Sequence, residues 1–187
     1  MLLVVRHGET AANAQGLILG HADPPLTPLG RRQAAALAQA LATPARIVAS
    51  PLRRAQETAA AFGLPFETDD RWIELDYGVL DGVPAASVGE DVWGQWRADP
   101  MFAPAGGESL AALGERVRAS CEELALDAAR HDVVVVTHVS PIKAAVAWAL
   151  GVGDEVVWRL FVEDASVCRI SVGPAGPLLL GFNQRPL

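Results

Sequence analysis

The chain reads as an α/β protein, a three-layer α/β/α arrangement around a mostly parallel central sheet. Three observations predict it. Short, continuously apolar runs at residues 2–5, 47–49 and 133–136 have the look of strands whose sheet is covered by helices on both faces. Helical patterns with recognisable start signals alternate with these runs, as βα units require. The runs end in polar residues, Arg6-His7, Ser50 and Thr137-His138, and the C-terminal edge of an open α/β sheet is where such folds hold ligands.

The elements follow in order. After the first strand comes a long polar, glycine-containing loop, residues 9–26, with Asn13, Gly16, Gly20 and Asp23-Pro24-Pro25; a loop of that length in a compact domain is usually functional. Thr27-Pro28 opens a helix with an N-cap and a proline at the first helical position, and residues 34–41 carry it on strong helix formers. Residues 46–49 form a second strand, and Ser50-Pro51 repeats the start signal for a helix through Arg53 and Arg54 to about Phe62. Residues 66–68 suggest a short strand. The segment 83–104, with prolines, glycines, two tryptophans and several acids, predicts short helices over the sheet, a possible lid. Gly107-Glu108-Ser109 precedes an amphipathic helix ending near Arg130. Residues 133–137 are the clearest strand; Pro141 then sits in the first turn of a helix that Gly151 stops. Residues 160–162, 167–172 and 178–182 read as final strands, the last two facing each other across residues 173–177.

Composition bounds what this chain does. Its 187 residues, 51% apolar and 20% charged, fit a single domain over 1–187. A net charge of -7 argues against nucleic acid or an anionic membrane surface as a partner. Cys121 and Cys168 fall in a helix and a strand, which encodes neither a disulfide framework nor a zinc site. No apolar run approaches the roughly 18 residues of a membrane span. Arg6 and Glu9 interrupt the N-terminal apolar stretch and no basic region precedes it, unlike a secretory signal, so a cytoplasmic location is expected. Oligomeric state is not legible, although the apolar C-terminal strands leave room for an interface.

Two strand ends present histidines and a third leads into paired arginines, so a parallel sheet would gather His7, His138, Arg6 and Arg54 into one crevice. Planar guanidinium forks and helix N-termini suit phosphate. On these residues the chain resembles a known family. Arg6-His7-Gly8-Glu9-Thr10 with Asn13, residues 20–27, Ser50-Pro51-Leu52-Arg53-Arg54-Ala55, residues 74–78, Gly107-Glu108-Ser109 and Thr137-His138 together are similar, in family order, to the histidine phosphatase superfamily. That superfamily includes cofactor-dependent phosphoglycerate mutases, α-ribazole phosphatases and broad-specificity phosphatases.

The resemblance implies a phosphoglycerate mutase-like fold and assigns His7 as nucleophile and Glu74 as proton donor. It assigns Arg6, Arg54, His138 and Asn13, with His7, to the phosphoryl group. The implied reaction is metal-independent hydrolysis of a small phosphorylated metabolite through a phosphohistidine, with no cofactor. Chemistry agrees: neutral imidazole forms and loses a phosphoryl group, fixed cations meet the charge of the transferring oxygens, and a carboxylic acid protonates the departing alkoxide. Two histidines and a carboxylate also resemble metal ligands, but arginines in the same pocket repel a divalent cation. The alternatives are a mutase-type phosphotransferase, for which the chain is short of covering insertions, and a non-catalytic phospholigand-binding module. Ala12 and Val139 replace a tryptophan and a glycine common in the family, which puts substrate shape in doubt; His138-Val139-Ser140-Pro141 is more similar to α-ribazole phosphatase-like modules than to mutases. Arg53 reads as a surface or substrate-side residue, His21 as a loop residue with or without a substrate contact, His131 as a helix-end cation, and the five tryptophans as core or lid packing.

Overall fold

The computed structural model describes residues 1–41 and 43–185; residues 42, 186 and 187 of the expected 1–187 unit lie outside the described residues. In chain order the elements are β1 (Leu2–Arg6), α1 (Ala11–Ala14), α2 (Pro28–Ala40), β2 (Arg46–Ala49), α3 (Arg53–Ala60), β3 (Glu67–Thr68), α4 (Glu90–Ala98), α5 (Leu110–Ala128), β4 (Val133–Thr137), α6 (Val139–Leu150), β5 (Val167–Gly173) and β6 (Gly176–Gln184). Short 3-10 turns occupy parts of the stretches between β3 and α5 and between α6 and β5.

All six strands form one sheet in the order β3-β2-β4-β1-β5-β6. The first four run parallel, while β5 is antiparallel to β1 and β6 to β5. The apolar runs explain the layering, because successive strand side chains point to opposite faces. Leu2, Val4, Val133 and Val135 share one core with Leu113, Val117 and Leu124 of α5 and Ile142 and Val146 of α6. Leu3, Val5, Val134 and Val136 share the other with Leu37 of α2 and Ala55 and Ala59 of α3. Burying each such branched side chain contributes roughly 1.5–3 kcal/mol. A one-residue slip in either central strand would exchange its two faces, so the register that aligns the strand ends is strongly specified.

Helix starts follow their caps. Thr27 accepts from the Gly30 N–H at 3.0 Å with Pro28 at the first position, and Ser109 accepts from Ala112 N–H at 3.2 Å. Gly151, at φ 65°, ends α6 in the left-handed conformation that glycine adopts without steric cost. Gly8 and Gly30 are required by close approach: a Cβ on Gly8 would lie 2.3 Å from Gly30 O, and one on Gly30 would lie 2.2 Å from Glu9 O. The first turn of α2 therefore rests backbone to backbone on the end of β1, directly behind His7.

Three expectations are corrected. The long loop after β1 contains a one-turn helix, α1, capped by Thr10 and Asn13. Ser50 does not cap α3, which starts at Arg53 with Leu52 as an N-cap that makes no side-chain bond; the Ser50 hydroxyl sits 2.7 Å from His138 Nε2 instead. Residues 160–162 form no strand; the carbonyl of Val162 accepts from Arg6 Nη1 at 2.8 Å, and β5 takes the place beside β1.

Candidate active site

Parallel pairing sets Arg6 opposite Thr137, so the next residues, His7 and His138, leave the sheet side by side. Their rings lie 5.0 Å apart, centroid to centroid, inclined at 61°. Between them comes Arg54, from the first turn of α3 and fully buried. Its single Nε–H is shared between His7 Nε2 and His138 Nδ1, each at 3.2 Å. Nη1 and Nη2 donate to the carbonyls of Ala22 and Gly20, both at 2.8 Å, which fastens the 20–22 loop to the site.

These contacts determine the tautomers, since a guanidinium only donates. His7 Nδ1 donates to Gly8 O at 2.7 Å, leaving a lone pair on Nε2. His138 has its lone pair on Nδ1 and gives its Nε2 proton to Ser50 Oγ. Burial first, then the Arg54 guanidinium, holds both imidazoles well below the ordinary 6.5. Arg54 is itself pushed down to about 10 by burial, still charged at neutral pH. Two neutral imidazoles beside a cation is the protonation pattern that a buried nucleophile needs.

This pattern has a stability consequence. An unfolded chain protonates its histidines below about pH 6.5, whereas the native chain resists doing so at His7 and His138. Their contribution is complete above that pH and is lost as pH falls towards the lowered native values. His138→Gln removes one of the two uptake sites. Urea unfolding is therefore expected to weaken between pH 6 and 5 less steeply in the variant, by about 1 kcal/mol per pH unit; an unchanged slope would show that His138 protonates normally in the fold.

Arg6 forms the other cationic wall. Nη1 donates to Val162 O, Nη2 lies 2.9 Å from Asp164 Oδ1 as an ion pair off the hydrogen-bonding direction, and Nε is buried with no acceptor. A buried N–H without a partner costs free energy that an incoming oxygen would recover. Asn13 is oriented by its own cap: Oδ1 accepts from the N–H and hydroxyl of Thr10, at 3.0 and 2.7 Å, so its amide NH2 is free. Glu74 is 3% exposed. Its carboxylate closes the start of α6, with Oε1 accepting from Leu75 and Ser140 N–H and Oε2 from Val139 N–H. Arg116 steadies this segment by donating to the carbonyls of Arg71, Ile73 and Glu74 while pairing with Glu108.

Arg6, His7, Asn13 and Glu74 open onto a cavity of about 250 Å³. Leu17, Ile18, Tyr77, Trp93, Trp96 and Trp158 are among its apolar walls, and Ser140 and Lys143 also line it. His138 and Arg54 do not line it. Among the described residues no cluster of three or more His, Cys, Asp or Glu side chains could hold a metal.

The family model of the histidine phosphatase superfamily (branch 1) matches residues 2–185. The chain belongs to this superfamily. It is 35% identical over 176 residues to "Bifunctional protein Rv2228c" of Mycobacterium tuberculosis (strain ATCC 25618 / H37Rv), covering 89% of this chain but 48% of that protein; the chain thus spans about half the length of the first curated relatives it matches. It is 34% identical over 192 residues to phosphoserine phosphatase 1 of Hydrogenobacter thermophilus, covering 97% of this chain and 91% of the relative. The mycobacterial glucosyl-3-phosphoglycerate phosphatase Rv2419c, solved with VO3, superposes at a TM-score of 0.87 with 33% identity and covers 98% of both chains.

Within this histidine phosphatase fold, all six expected residues, His7, Arg6, Arg54, Asn13, Glu74 and His138, meet at the carboxyl ends of the central strands. Arg53 is exposed and pairs with Glu57. His21 stands outside the cavity, with Nε2 3.0 Å from Glu74 O and Nδ1 3.6 Å from Asp76. The carbonyl of His131 accepts from the N-terminal amine at 2.7 Å. Both cysteines are free and buried, and among the described residues no helix is long and apolar enough to cross a membrane. Sequence reasoning passed over Ser50 as the partner of His138, the cavity role of Trp93, Trp96 and Trp158, and Lys143. The usable signals were the position of Ser50 at a strand end and the occurrence of a lone lysine four residues after Val139.

Proposed function

We propose that the protein is a metal-independent phosphatase that hydrolyses a small phosphomonoester through a phosphohistidine on His7 Nε2. The observation that carries the reading is the Arg54 Nε–H shared between two imidazoles that burial first, and this cation second, keep neutral. In the first step the His7 Nε2 lone pair attacks phosphorus, the P–O bond to the leaving group breaks, and the leaving oxygen takes a proton from Glu74. Arg6 and the Asn13 amide, which line the cavity, meet the charge on the transferring oxygens, and the buried Arg54 guanidinium adds its positive field from beside the two imidazoles. In the second step water attacks phosphorus, Glu74 accepts its proton, the P–N bond breaks and inorganic phosphate leaves. The segment 83–104 supplies Trp93 and Trp96 to the cavity wall and acts as a lid over the leaving group.

A 250 Å³ cavity is at the small end for ligand sites, which suits a small phosphorylated metabolite better than a phosphoprotein. The names of the phosphatases among its relatives support the same class. The test is hydrolysis of a panel of small phosphomonoesters by the purified protein in the presence of EDTA; turnover of none, or turnover that depends on added divalent metal, overturns the proposal.

Glu74→Gln keeps a side chain of the same shape but cannot cycle a proton. Its kcat is expected to fall about 10²- to 10⁴-fold for alkyl phosphates and far less for p-nitrophenyl phosphate, whose leaving group departs without help. An equal loss on both substrates would remove the proton-donor role from Glu74.

A further inference from the structure

Lys143 is the only lysine in the sequence, among 15 basic residues. It lies one helical turn after Val139 and Ser140, and all three line the cavity, so a single stripe of α6 faces the bound molecule. The rise of α6 places the Lys143 backbone about 6 Å beyond the start of the helix, while helix side chains lean back towards the N-terminus. Its side chain thereby lines the same cavity as Arg6, His7 and the proposed proton donor Glu74.

The charges around it set it apart from a surface lysine. Ion pairs among the described residues are made by arginines, the N-terminal amine and His21, and none by Lys143. The nearby Glu74 carboxylate is already occupied by backbone N–H groups. Burial lowers the pKa of Lys143, with Glu74 acting in the opposite sense. Trp96, 1% exposed, contributes its ring to the same cavity. The remaining walls are flat and apolar, with Trp93 stacked on Trp96 at 5.8 Å and Trp158 set edge-on to both. An ammonium with no ion pair, inside aromatic walls, is complementary to an anion carried on a flat or apolar body.

We propose that Lys143 is a specificity-determining residue that selects phosphomonoesters whose leaving group bears a second anion, a carboxylate, on an apolar body. This rests on the phosphatase reading above for the placement of the phosphoryl group.

The test separates the two. Binding is measured with benzylphosphonate and its 3- and 4-carboxy derivatives, which are not hydrolysed, and turnover with phenyl phosphate and its 3- and 4-carboxy derivatives. The better carboxylated ligand of each set is expected to be favoured about 10- to 100-fold over its parent, in Kd and in kcat/KM. Lys143→Met should reduce that ratio to within about twofold, and Lys143→Arg should restore part of it. Because the chain has one lysine, isotopic lysine labelling gives a single side-chain NMR signal; it should shift with the carboxylated phosphonate and not with the parent. Equal ratios in the wild type, a preference that survives Lys143→Met, or an unmoved lysine signal overturns the inference while His7-dependent turnover leaves the phosphatase reading intact. Lys143-dependent preference in binding with no turnover of any ester overturns the phosphatase reading and keeps the anion site.

Discussion

His7→Ala is expected to lower kcat for aryl phosphate hydrolysis by about 10⁴-fold or more and to abolish covalent phosphoryl labelling of the protein. The magnitude follows from the role: without Nε2 there is no covalent intermediate, and water must attack phosphorus directly in a pocket whose donors still bind phosphate. Selecting His7 over His138 is a physical choice. Both imidazoles touch the same Arg54 N–H, but only His7 lines the cavity. Its proton is held on Nδ1 by Gly8 O, so its lone pair is on Nε2, where it shares the Arg54 N–H with His138. The lone pair of His138 is on Nδ1, next to its own backbone, and Ser50 holds the far nitrogen. His138→Ala is therefore expected to cost less than His7→Ala, since it removes one of the two acceptors that fix the Arg54 Nε–H, and still to label. Rapid quenching with a radiolabelled aryl phosphate, followed by acid and base treatment, distinguishes a phosphoramidate from a phosphoester. Label that persists in His7→Ala and vanishes in His138→Ala would reverse the assignment.

The legible parts of the fold were those in which one residue's local chemistry decides the outcome. Continuous apolar runs marked β1, β2 and β4 because strands covered on both faces have no polar side to show. Thr27 marked a helix start because its hydroxyl can accept from the Gly30 N–H while donating to Glu9, so the cap survives its second partner. Ser50-Pro51 carries the same local signal and misled, since the Ser50 hydroxyl is claimed by a histidine 88 residues away. Residues 160–162 misled similarly: apolar character suggested a strand, but the Val162 carbonyl is taken by Arg6. Gly107-Glu108-Ser109 was recognised as a motif without a role; Glu108 clamps Arg116, which holds the carbonyl of Glu74. The six candidates were legible as a group because family motifs fall on all of them, and on Arg6, His7 and His138 a strand end coincides with the motif. The cavity walls were not, because tryptophans 93, 96 and 158 are brought together only by the packing of α4 against the turn after α6.

Arg54 is where stability and chemistry meet, and two substitutions are expected to pull them apart. Arg54→Lys keeps a positive charge but not the fork: one ammonium does not reach both imidazoles and the carbonyls of Gly20 and Ala22 together. Buried carbonyls left without donors cost about 1–3 kcal/mol each. A destabilisation of about 2–4 kcal/mol in a chain of this size lowers Tm by roughly 5–15 °C, alongside a 10²- to 10³-fold loss in kcat. Arg54→Met has the same structural cost and also removes the charge that, after burial, holds His7 and His138 below 6.5. The sign is definite: without that cation the protonated imidazole is less disfavoured, so the His7 pKa rises. The acid limb of kcat/KM is then expected at higher pH in Arg54→Met than in Arg54→Lys, where a cation remains. Coincident limbs in the two variants, measured against the wild type from pH 4.5 to 8, would show that burial alone keeps the nucleophile neutral and that Arg54 serves only to bind phosphate and fasten the 20–22 loop.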